Sequence, residues 1–318
     1  MIDAMVRRAR LLLPLLLVAL LLPLASPWLH ERDGRIAWVL DLAVHWQWLY
    51  ALALLPVVSV CALRSRRWLI LAPLSLLPMI TAAPRLGDAS AASVDSHFTV
   101  VSANVHLATR DPQALFAWLA DAPADAVVVV EVSPDYAQAL SRWPDYPFRV
   151  IEPALDPFGI AVLSRHPLAN AQVLHDTRGL ASIDVAIDTP RGCLALRALH
   201  PLPPISPADK AIRDRELAAA VSDLSLSVRP ALIVGDFNAT PWSSAFAPFA
   251  RQGWRRATSL APTWPAWGRG LVGIPIDQVL ANAAWQRVDS TRGPDLGSDH
   301  FPVRVTLARA PSPRCDAG

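Results

Sequence analysis

The composition of the chain changes at about residue 85, and this change limits the possible folds more than any other feature. Leu, Ala, Val, Trp and Pro make up 54 of the 84 residues in 1–84, whereas the sequence from Ser96 onward has the composition of an ordinary globular domain. The hydrophobic fraction of 53% and the mean hydropathy of +0.31 therefore reflect mainly the N-terminal part. We predict a membrane region at 1–84, a linker at 85–96, a globular domain at 97–310 and a tail at 311–318.

Three apolar stretches in the first region predict three transmembrane helices, at about 11–29, 46–63 and 68–83. The first follows a basic start and contains no charge, and at ~20 residues it is long enough to cross a bilayer core of ~30 Å. A cleaved signal peptide is the alternative for this stretch, since a basic start, a Leu-rich centre and Ala25-Ser26 are typical of one. The lipid bilayer is an expected partner, and no obligate protein partner is evident.

Arginines are clustered at 7–10, before the first stretch, and at 64–67, between the second and third. With three spans, both clusters lie on one side of the membrane, which the positive-inside bias makes the cytoplasmic side. The sequence therefore predicts a multi-pass protein of the plasma (inner) membrane whose globular domain is on the non-cytoplasmic side. Asp41 and His45, at the edge of the second stretch, are interpreted as solvated residues.

The globular part is almost neutral, with twenty basic and twenty-one acidic side chains from residue 97 onward. This balance disfavours a protein that tracks along DNA, because such a protein needs a long basic face. Cys61, Cys193 and Cys315 are too few and too scattered to indicate a disulfide framework or a thiolate zinc site.

Apolar strands alternate with helices that begin at proline in the globular part. Phe98 to Val105 and Ala126 to Val130 are predicted strands, while Asp111-Pro112 and Ser133-Pro134 each begin a helix. This alternation predicts an α/β layered fold that presents polar side chains where its strands end.

The stretch Pro230 to Ser244, PALIVGDFNATPWSS, carries the strongest chemical signal. A short apolar strand ends there in Asp236 and Asn238, and a carboxylate and an amide at this spacing can orient water, bind a hard cation or hold a phosphoryl oxygen. Taken alone, such a turn is more often structural, because Asp and Asn side chains bond to the backbone in turns. Other polar residues share this position beside the end of an apolar strand: Asn104, Glu131, His200, Asp277, Asp299 and His300.

Together and in this order, these residues and their neighbours resemble the endonuclease/exonuclease/phosphatase family, which includes DNase I-like nucleases. The matching segments lie within about residues 97 to 308 and are SANV, VVVVE, GIAVLSRHP, LRALHPLPP, GDFNATPWS, PIDQVLAN and GSDHFPV. The resemblance implies a four-layered α/β sandwich, with two mixed β-sheets packed face to face and helices outside. It also implies a phosphoesterase that uses Mg²⁺ or Mn²⁺ held by Glu131, with Asn104 and Asp299 close to the metal.

The resemblance also implies the catalytic roles, in a set that includes Asn104 as well. Asp236 would position or deprotonate the attacking water, and Asn238 would hold a phosphoryl oxygen. His300, oriented by Asp277, would stabilise charge on phosphorus or act as the base, and His200 would contact the phosphate or protonate the leaving group.

The sequence departs from the family pattern in two places. Val130 precedes Glu131 where many members have Gln, which changes the surroundings of the metal ligand. Between Arg165 and His200 the sequence lacks the Tyr- and Asn-containing segment that apurinic endonucleases use at damaged DNA, which argues against a DNA-repair enzyme.

We therefore expect a membrane-anchored, divalent-metal-dependent phosphoesterase that cleaves a phosphodiester or a phosphomonoester by metal-assisted attack of water. The membrane region favours a lipid-linked phosphate as substrate, because a tether raises the effective concentration at the head groups. The family favours nucleic acid. A catalytically silent, membrane-tethered binding module is the alternative from another functional class.

Overall fold

The computed structural model describes residues 1–29, 32–89, 97–225, 229–309 and 313–315. Part of the predicted linker, at 90–96, and most of the predicted tail lie outside these described residues. The chain forms two compact units. The helical unit comprises Met1–Ala83, Pro204–Ala211 and Ala239–Ala247, and the sheet unit comprises Pro84–Pro203, Ile212–Asn238 and Pro248–Gly318.

The helical unit is built from helices packed through apolar side chains. Helix α1 (Ile2–Leu21) continues through a 3-10 turn into α2 (Ser26–Leu29), and α3 (Arg35–Val44) meets α4 (Gln47–Ala62) at a bend of 66°. A 3-10 helix, Arg66–Leu76, then leads into α5 (Leu77–Thr81). The buried core of this unit joins α1 to α4 through Leu13, Leu20, Ala51, Leu54 and Val58.

The prediction of three transmembrane helices is wrong. Among the described residues only Ile2–Leu29, with 28 residues, is by itself long and apolar enough to cross a membrane; α3 and α4 qualify only when counted together as one bent span. Helix α4 alone would reach about 24 Å at ~1.5 Å per residue, which is shorter than the bilayer core. The third predicted span is not a continuous α-helix, because Pro73 and Pro78 interrupt the regular hydrogen-bond pattern.

Asp41 and His45 are buried in the helical unit, so their interpretation as solvated residues is also wrong. The Ser243 hydroxyl donates to Asp41 Oδ1 at 2.7 Å, and the Ser244 amide donates to the same oxygen at 3.3 Å. His45 Nδ1 lies 2.9 Å from the Thr240 hydroxyl. These partners come from a segment about 200 residues away in sequence, so local hydropathy could not predict them.

The described part of the sheet unit contains two six-stranded sheets. The strands of the first are β1 (His97–Asn104), β2 (Ala126–Val130), β3 (Phe148–Glu152), β4 (Ile160–Ser164), β11 (Gln286–Arg292) and β12 (Val303–Ala308). Those of the second are β5 (Leu168–His175), β6 (Ala181–Thr189), β7 (Gly192–Leu199), β8 (Ala231–Asp236), β9 (Arg255–Arg256) and β10 (Asp277–Ala281). Four further helices are α6 (Gln113–Asp121), α7 (Pro134–Ser141), α8 (Pro207–Ser225) and α9 (Ala247–Arg251).

Both sheets are mixed, as predicted, because β1 and β2 are parallel, as are β7 and β8, while the other neighbours are antiparallel. The order is β11-β12-β1-β2-β4-β3 in the first sheet and β5-β6-β7-β8-β10-β9 in the second. The two faces of β2 pack into two different hydrophobic cores. Val128 packs with side chains of the second sheet, whereas Val129, on the other face, packs with α6 and α7. The α/β sandwich is therefore confirmed.

A disulfide between Cys193, in β7, and Cys315 joins residues separated by 122 positions. Nothing in the sequence spacing indicated this pair, because the partners are far apart in sequence and are neighbours only in the folded chain. A cross-link that closes so long a loop stabilises a domain by about 4 to 5 kcal/mol in the chain-entropy account.

Candidate active site

The sheet topology brings the predicted site residues to one edge of the sandwich. Asn104 ends β1 and Glu131 follows β2, its parallel neighbour, so both lie at the same edge. In the other sheet His200 follows β7 and Asp236 ends its parallel neighbour β8. The antiparallel β10 begins at that edge, where Asp277 pairs directly with Asp236.

Asp299 and His300 lie at the same edge, beside the start of a strand, β12, that is antiparallel to β1. They precede β12, whose first residue, Val303, pairs with Ser102 near the end of the antiparallel β1. The Ser298 hydroxyl donates to the Asn104 carbonyl at 2.8 Å and accepts from the His300 amide at 3.1 Å. This turn therefore holds His300 beside the end of β1.

Gly235 allows the ends of β7 and β8 to approach closely. A Cβ atom at this position would lie 1.9 Å from the Leu199 carbonyl oxygen, and φ at Gly235 is +151°, which suits glycine. His200 directly follows Leu199, and Asp236 directly follows Gly235. Their side chains are therefore close, with His200 Nε2 3.6 Å from Asp236 Oδ2. The glycine of the GDFN motif is thus required by geometry.

Asn104 lies at the centre of the cluster. Its Nδ2 donates to Glu131 Oε1 at 2.8 Å and to Asp236 Oδ2 at 3.2 Å, and it lies 3.4 Å from His300 Nε2. The Leu107 amide donates to the second Glu131 oxygen at 2.8 Å. Glu131 itself has a φ of 64°, a left-handed conformation that costs energy in a residue with a side chain and that is concentrated at functional sites.

Asn238 is held by the turn that it ends. Its amide donates to Asp236 Oδ1 at 2.9 Å, and its side-chain Nδ2 donates to the Pro201 carbonyl at 3.0 Å. Its φ of 47° is also left-handed. The turn is therefore built around Asp236, and it fixes the position of the Asn238 side-chain amide.

Two histidines flank the Asp236 carboxylate. His300 Nδ1 lies 2.9 Å from Asp277 Oδ2, and its Nε2 lies 3.7 Å from Asp236 Oδ2. Burial acts to lower the pKa of His300, but the charges of Asp277 and Asp236 outweigh it and raise this pKa to about 10. Burial also opposes the charge of His200, but the hydrogen bond and charge of Asp236 and the charge of Glu131 together outweigh it, so the pKa of His200 is raised as well.

The pKa values of the Asp277 and Asp236 carboxyl groups are shifted in opposite directions. Burial raises the pKa of Asp277; the charge of His300 lowers it, but burial together with the charge of Asp236 outweighs this effect. Burial opposes ionisation of Asp236 too, but His300 and His200 outweigh it and lower the pKa of this carboxyl. Asp236 is therefore the carboxylate that stays ionised, and it lies between the rings of His300 and His200.

Two sets of side chains at this edge are candidates for a cation site, and the ligand atoms of the first lie close together. Asp236, Asp277 and His300 each offer a ligand atom within 4.8 Å of one another. In the second set, Glu131 and Asp299 both face His106, whose Nδ1 lies 3.7 Å and 3.4 Å from their carboxylate oxygens. Within the described residues, neither of these carboxylates pairs with Lys or Arg. Their carboxylate oxygens are the type of ligand that a hard cation such as Mg²⁺ or Mn²⁺ prefers.

His106 and Trp264 also belong to this edge, although neither was predicted from the sequence. His106 joins Glu131 to Asp299 as described, and Trp264 Nε1 donates to Asp299 Oδ2 at 3.1 Å. The position of His106, two residues after a strand-terminal Asn104, is the one signal that could have indicated it. Trp264 lies in a loop without hydrophobic periodicity, so only the folded chain shows its role.

Comparison with known proteins agrees with this architecture. Residues 101–300 match the model of the Endonuclease/Exonuclease/phosphatase family. A crystal structure of an endonuclease/exonuclease/phosphatase from Beutenbergia cavernae has a TM-score of 0.58 and 19% identity, and the match covers 68% of this chain and 72% of that one. Such low identity shows the shared fold alone.

Two further solved structures have the same fold. The endonuclease/exonuclease/phosphatase from Bacteroides vulgatus has a TM-score of 0.56 and 15% identity, with 68% of this chain and 100% of that one covered. D. rerio TDP2 complexed with a single strand DNA product has a TM-score of 0.55 and 16% identity, with 67% and 99% covered. No curated protein sequence matches the chain significantly.

Proposed function

Because the chain belongs to the endonuclease/exonuclease/phosphatase family and is a phosphoric ester hydrolase, we propose that it is a membrane-anchored, divalent-metal-dependent enzyme acting on a lipid-linked phosphate ester. The observation that carries the proposal is the cluster around Asn104, whose amide donates to both Glu131 and Asp236, while Asp236 lies between two histidines. This arrangement provides acidic, basic and metal-binding groups within one small volume.

Glu131 and Asp299, with Asn104 beside them, are the residues that would hold Mg²⁺ or Mn²⁺. The metal would supply Lewis-acid stabilisation of the phosphoryl oxygens. The set of Asp236, Asp277 and His300 is a weaker candidate for this task, because each nitrogen of His300 already faces a carboxylate.

The remaining residues act on water and on the phosphate. Asp236, kept ionised by the two histidines, accepts a hydrogen bond from the attacking water and orients it, and Asn238 contacts a phosphoryl oxygen. His300 is protonated at neutral pH because its pKa is about 10, so it stabilises the negative charge that develops on the phosphoryl group. His200 is placed to contact the phosphate or to protonate the leaving group.

A loop next to the site favours an amphipathic substrate over nucleic acid. Trp267 and Leu271 are 66% and 80% exposed, so this loop presents two large apolar side chains to solvent within five residues. Their loop is bonded to the site, because the Ala266 amide donates to the Asp299 carbonyl at 2.7 Å. Nucleic acid is the second candidate substrate, supported by the fold shared with a TDP2 structure that contains a DNA product.

The proposal is tested on the full chain in detergent or nanodiscs. Hydrolysis of bis-p-nitrophenyl phosphate should require Mg²⁺ or Mn²⁺ and stop with EDTA, and lipid phosphates in mixed micelles should be cleaved faster than single-stranded or duplex nucleic acid. Trp267→Ala should slow micellar hydrolysis without changing hydrolysis of the soluble diester. Faster cleavage of nucleic acid would reverse the substrate assignment, and no hydrolysis of any ester would favour the binding-module alternative.

The helix Ile2–Leu29 is the proposed anchor, and we place the catalytic domain on the non-cytoplasmic side. Arg7, Arg8 and Arg10 precede the apolar part of this helix, so the positive-inside bias keeps its N-terminal end in the cytoplasm. The Cys193–Cys315 disulfide supports the same side, because disulfides persist in oxidising compartments and are rare in the cytosol.

We expect alkaline phosphatase fused after Gly318 to be active in cells and green fluorescent protein fused there to be dark. In the same cells, Cys193 and Cys315 should react with a thiol reagent only after reduction. Green fluorescent protein fused before Met1 serves as the control and should fluoresce. The reverse pattern at Gly318 would place the domain in the cytoplasm, and loss of the N-terminal fusion tag from the mature protein would show a cleaved signal peptide instead of an anchor.

A further inference from the structure

The helical unit contains a cavity of about 460 Å³ lined by three arginines. Arg7 and Arg10 come from α1 and Arg64 follows α4, so two chain segments that are distant in sequence supply positive charge to one space. Asp3 is the one acidic residue in the lining, and it pairs with Arg64. Within the described residues, Arg7 and Arg10 form no ion pair, which leaves the cavity with a net positive charge.

Neighbouring side chains hold this arrangement in place. The guanidinium of Arg10 lies 5.9 Å from the centre of the Trp68 ring, and that of Arg67 lies 5.6 Å from the same ring. Cation–π contacts of this kind orient an arginine while leaving its N–H groups available to an anion. Tryptophan is also characteristic of the boundary between a bilayer and water.

An apolar surface continues from the cavity along α1. Leu11 belongs to the lining, and Leu11, Leu15 and Val18 are 70%, 66% and 62% exposed. Their spacing of four and then three residues puts them on one face of the helix. A ligand that contacts both the arginine cavity and this apolar face must therefore carry an anionic group at one end and hydrocarbon chains at the other.

We propose that the arginine cavity binds the head group of an anionic phospholipid, whose acyl chains lie along the Leu11 face of α1. The inference rests on the proposed anchoring by α1 and not on the hydrolase activity. Arginine recognises a phosphate through several N–H groups at once. A basic pocket beside a membrane helix is suited to the head group of an anionic lipid.

The test titrates phosphatidylglycerol into the purified, delipidated full chain and follows the thermal midpoint and the lipid retained. Phosphatidylglycerol should raise the midpoint, whereas phosphatidylcholine and soluble glycerol 1-phosphate should not. The double variant Arg7→Gln/Arg10→Gln should bind phosphatidylglycerol at least ~10-fold more weakly, since each arginine near the surface contributes about fivefold. Asp3→Asn should bind it more tightly, because it releases Arg64.

The matched control is Arg32→Gln/Arg35→Gln, which removes the same charge from the helical unit without touching the cavity, and it should bind like the unchanged chain. Equal affinity in the Arg7/Arg10 variant would overturn the site. Equal stabilisation by glycerol 1-phosphate would show that free phosphate is the ligand and overturn the lipid assignment. Carbonate extraction of the chain from membranes is scored separately, and its release would refute the anchoring itself.

Discussion

Glu131→Gln is expected to reduce phosphoester hydrolysis at saturating Mg²⁺ by at least ~10²-fold, the scale for removing one charge-stabilising group. A neutral amide binds Mg²⁺ far more weakly than a carboxylate does, so the metal concentration at half-maximal activity should also rise. The geometry adds a second effect. Asn104 and the Leu107 amide each donate to one oxygen of Glu131, and the NH₂ group of glutamine would face one of these donors. Steady-state turnover across a metal titration measures both changes.

Glu152→Gln is the matched control, because Glu152 undergoes the same chemical change at the end of β3 in the same sheet. It should leave turnover and the metal titration unchanged. The thermal midpoint of each variant should be measured beside its activity, to separate loss of function from loss of fold. A Glu131→Gln enzyme with an unchanged metal titration would remove Glu131 from the metal site.

The second large effect is expected at His300. Replacement by Ala should lower kcat at least ~10²-fold, the usual consequence of losing a charge-stabilising or acid–base group. Asp277→Asn should have a more informative effect, because it removes the charge that most raises the pKa of His300. The raised pKa keeps the ring protonated up to about pH 10. In the Asp277→Asn variant the ring should deprotonate at lower pH, and the alkaline limb of the kcat profile should move to lower pH.

His166→Ala provides the control for this pair. His166 Nε2 lies 2.9 Å from Asp125 Oδ1, which is the same His–Asp contact outside the proposed site. Its replacement should leave kcat and the pH profile unchanged. If His300→Ala retained normal turnover, or if Asp277→Asn left the alkaline limb in place, the role of a protonated His300 at the phosphoryl group would be wrong.

Local sequence was sufficient to place the candidate site on the strands. A buried strand is recognised from its own apolar run, and Asp236 and Glu131 follow such runs directly. The GDFN turn was equally local, since Asp236 bonds to the amide two residues later. These features depend on neighbours within a few residues, so the sequence by itself determined that the domain would be an α/β layered fold with polar groups at strand ends. The sandwich of two sheets was implied by the family resemblance.

The number of membrane helices was overestimated because the prediction used hydropathy alone. Hydropathy measures how apolar a stretch is, but a span also needs a continuous helix of sufficient length. Prolines at 73 and 78 interrupt the third stretch, and a bend divides α3 from α4. Hydropathy also gave no reason to expect that Asp41 would be buried against Ser243. The number of possible spans therefore depended on the continuity of the helices, and the burial of Asp41 depended on polar partners that are distant in sequence.

The tertiary structure alone decided which polar residues meet. Strand order makes β1 the neighbour of both β2 and β12, and this order brings Asn104, Glu131 and His300 within hydrogen-bonding distance. His106 and the Cys193–Cys315 pair gained their partners in the same way. Strand pairing and disulfide closure join residues that are far apart in the chain. Their energies therefore depend on the three-dimensional arrangement, and no short window of sequence contains them.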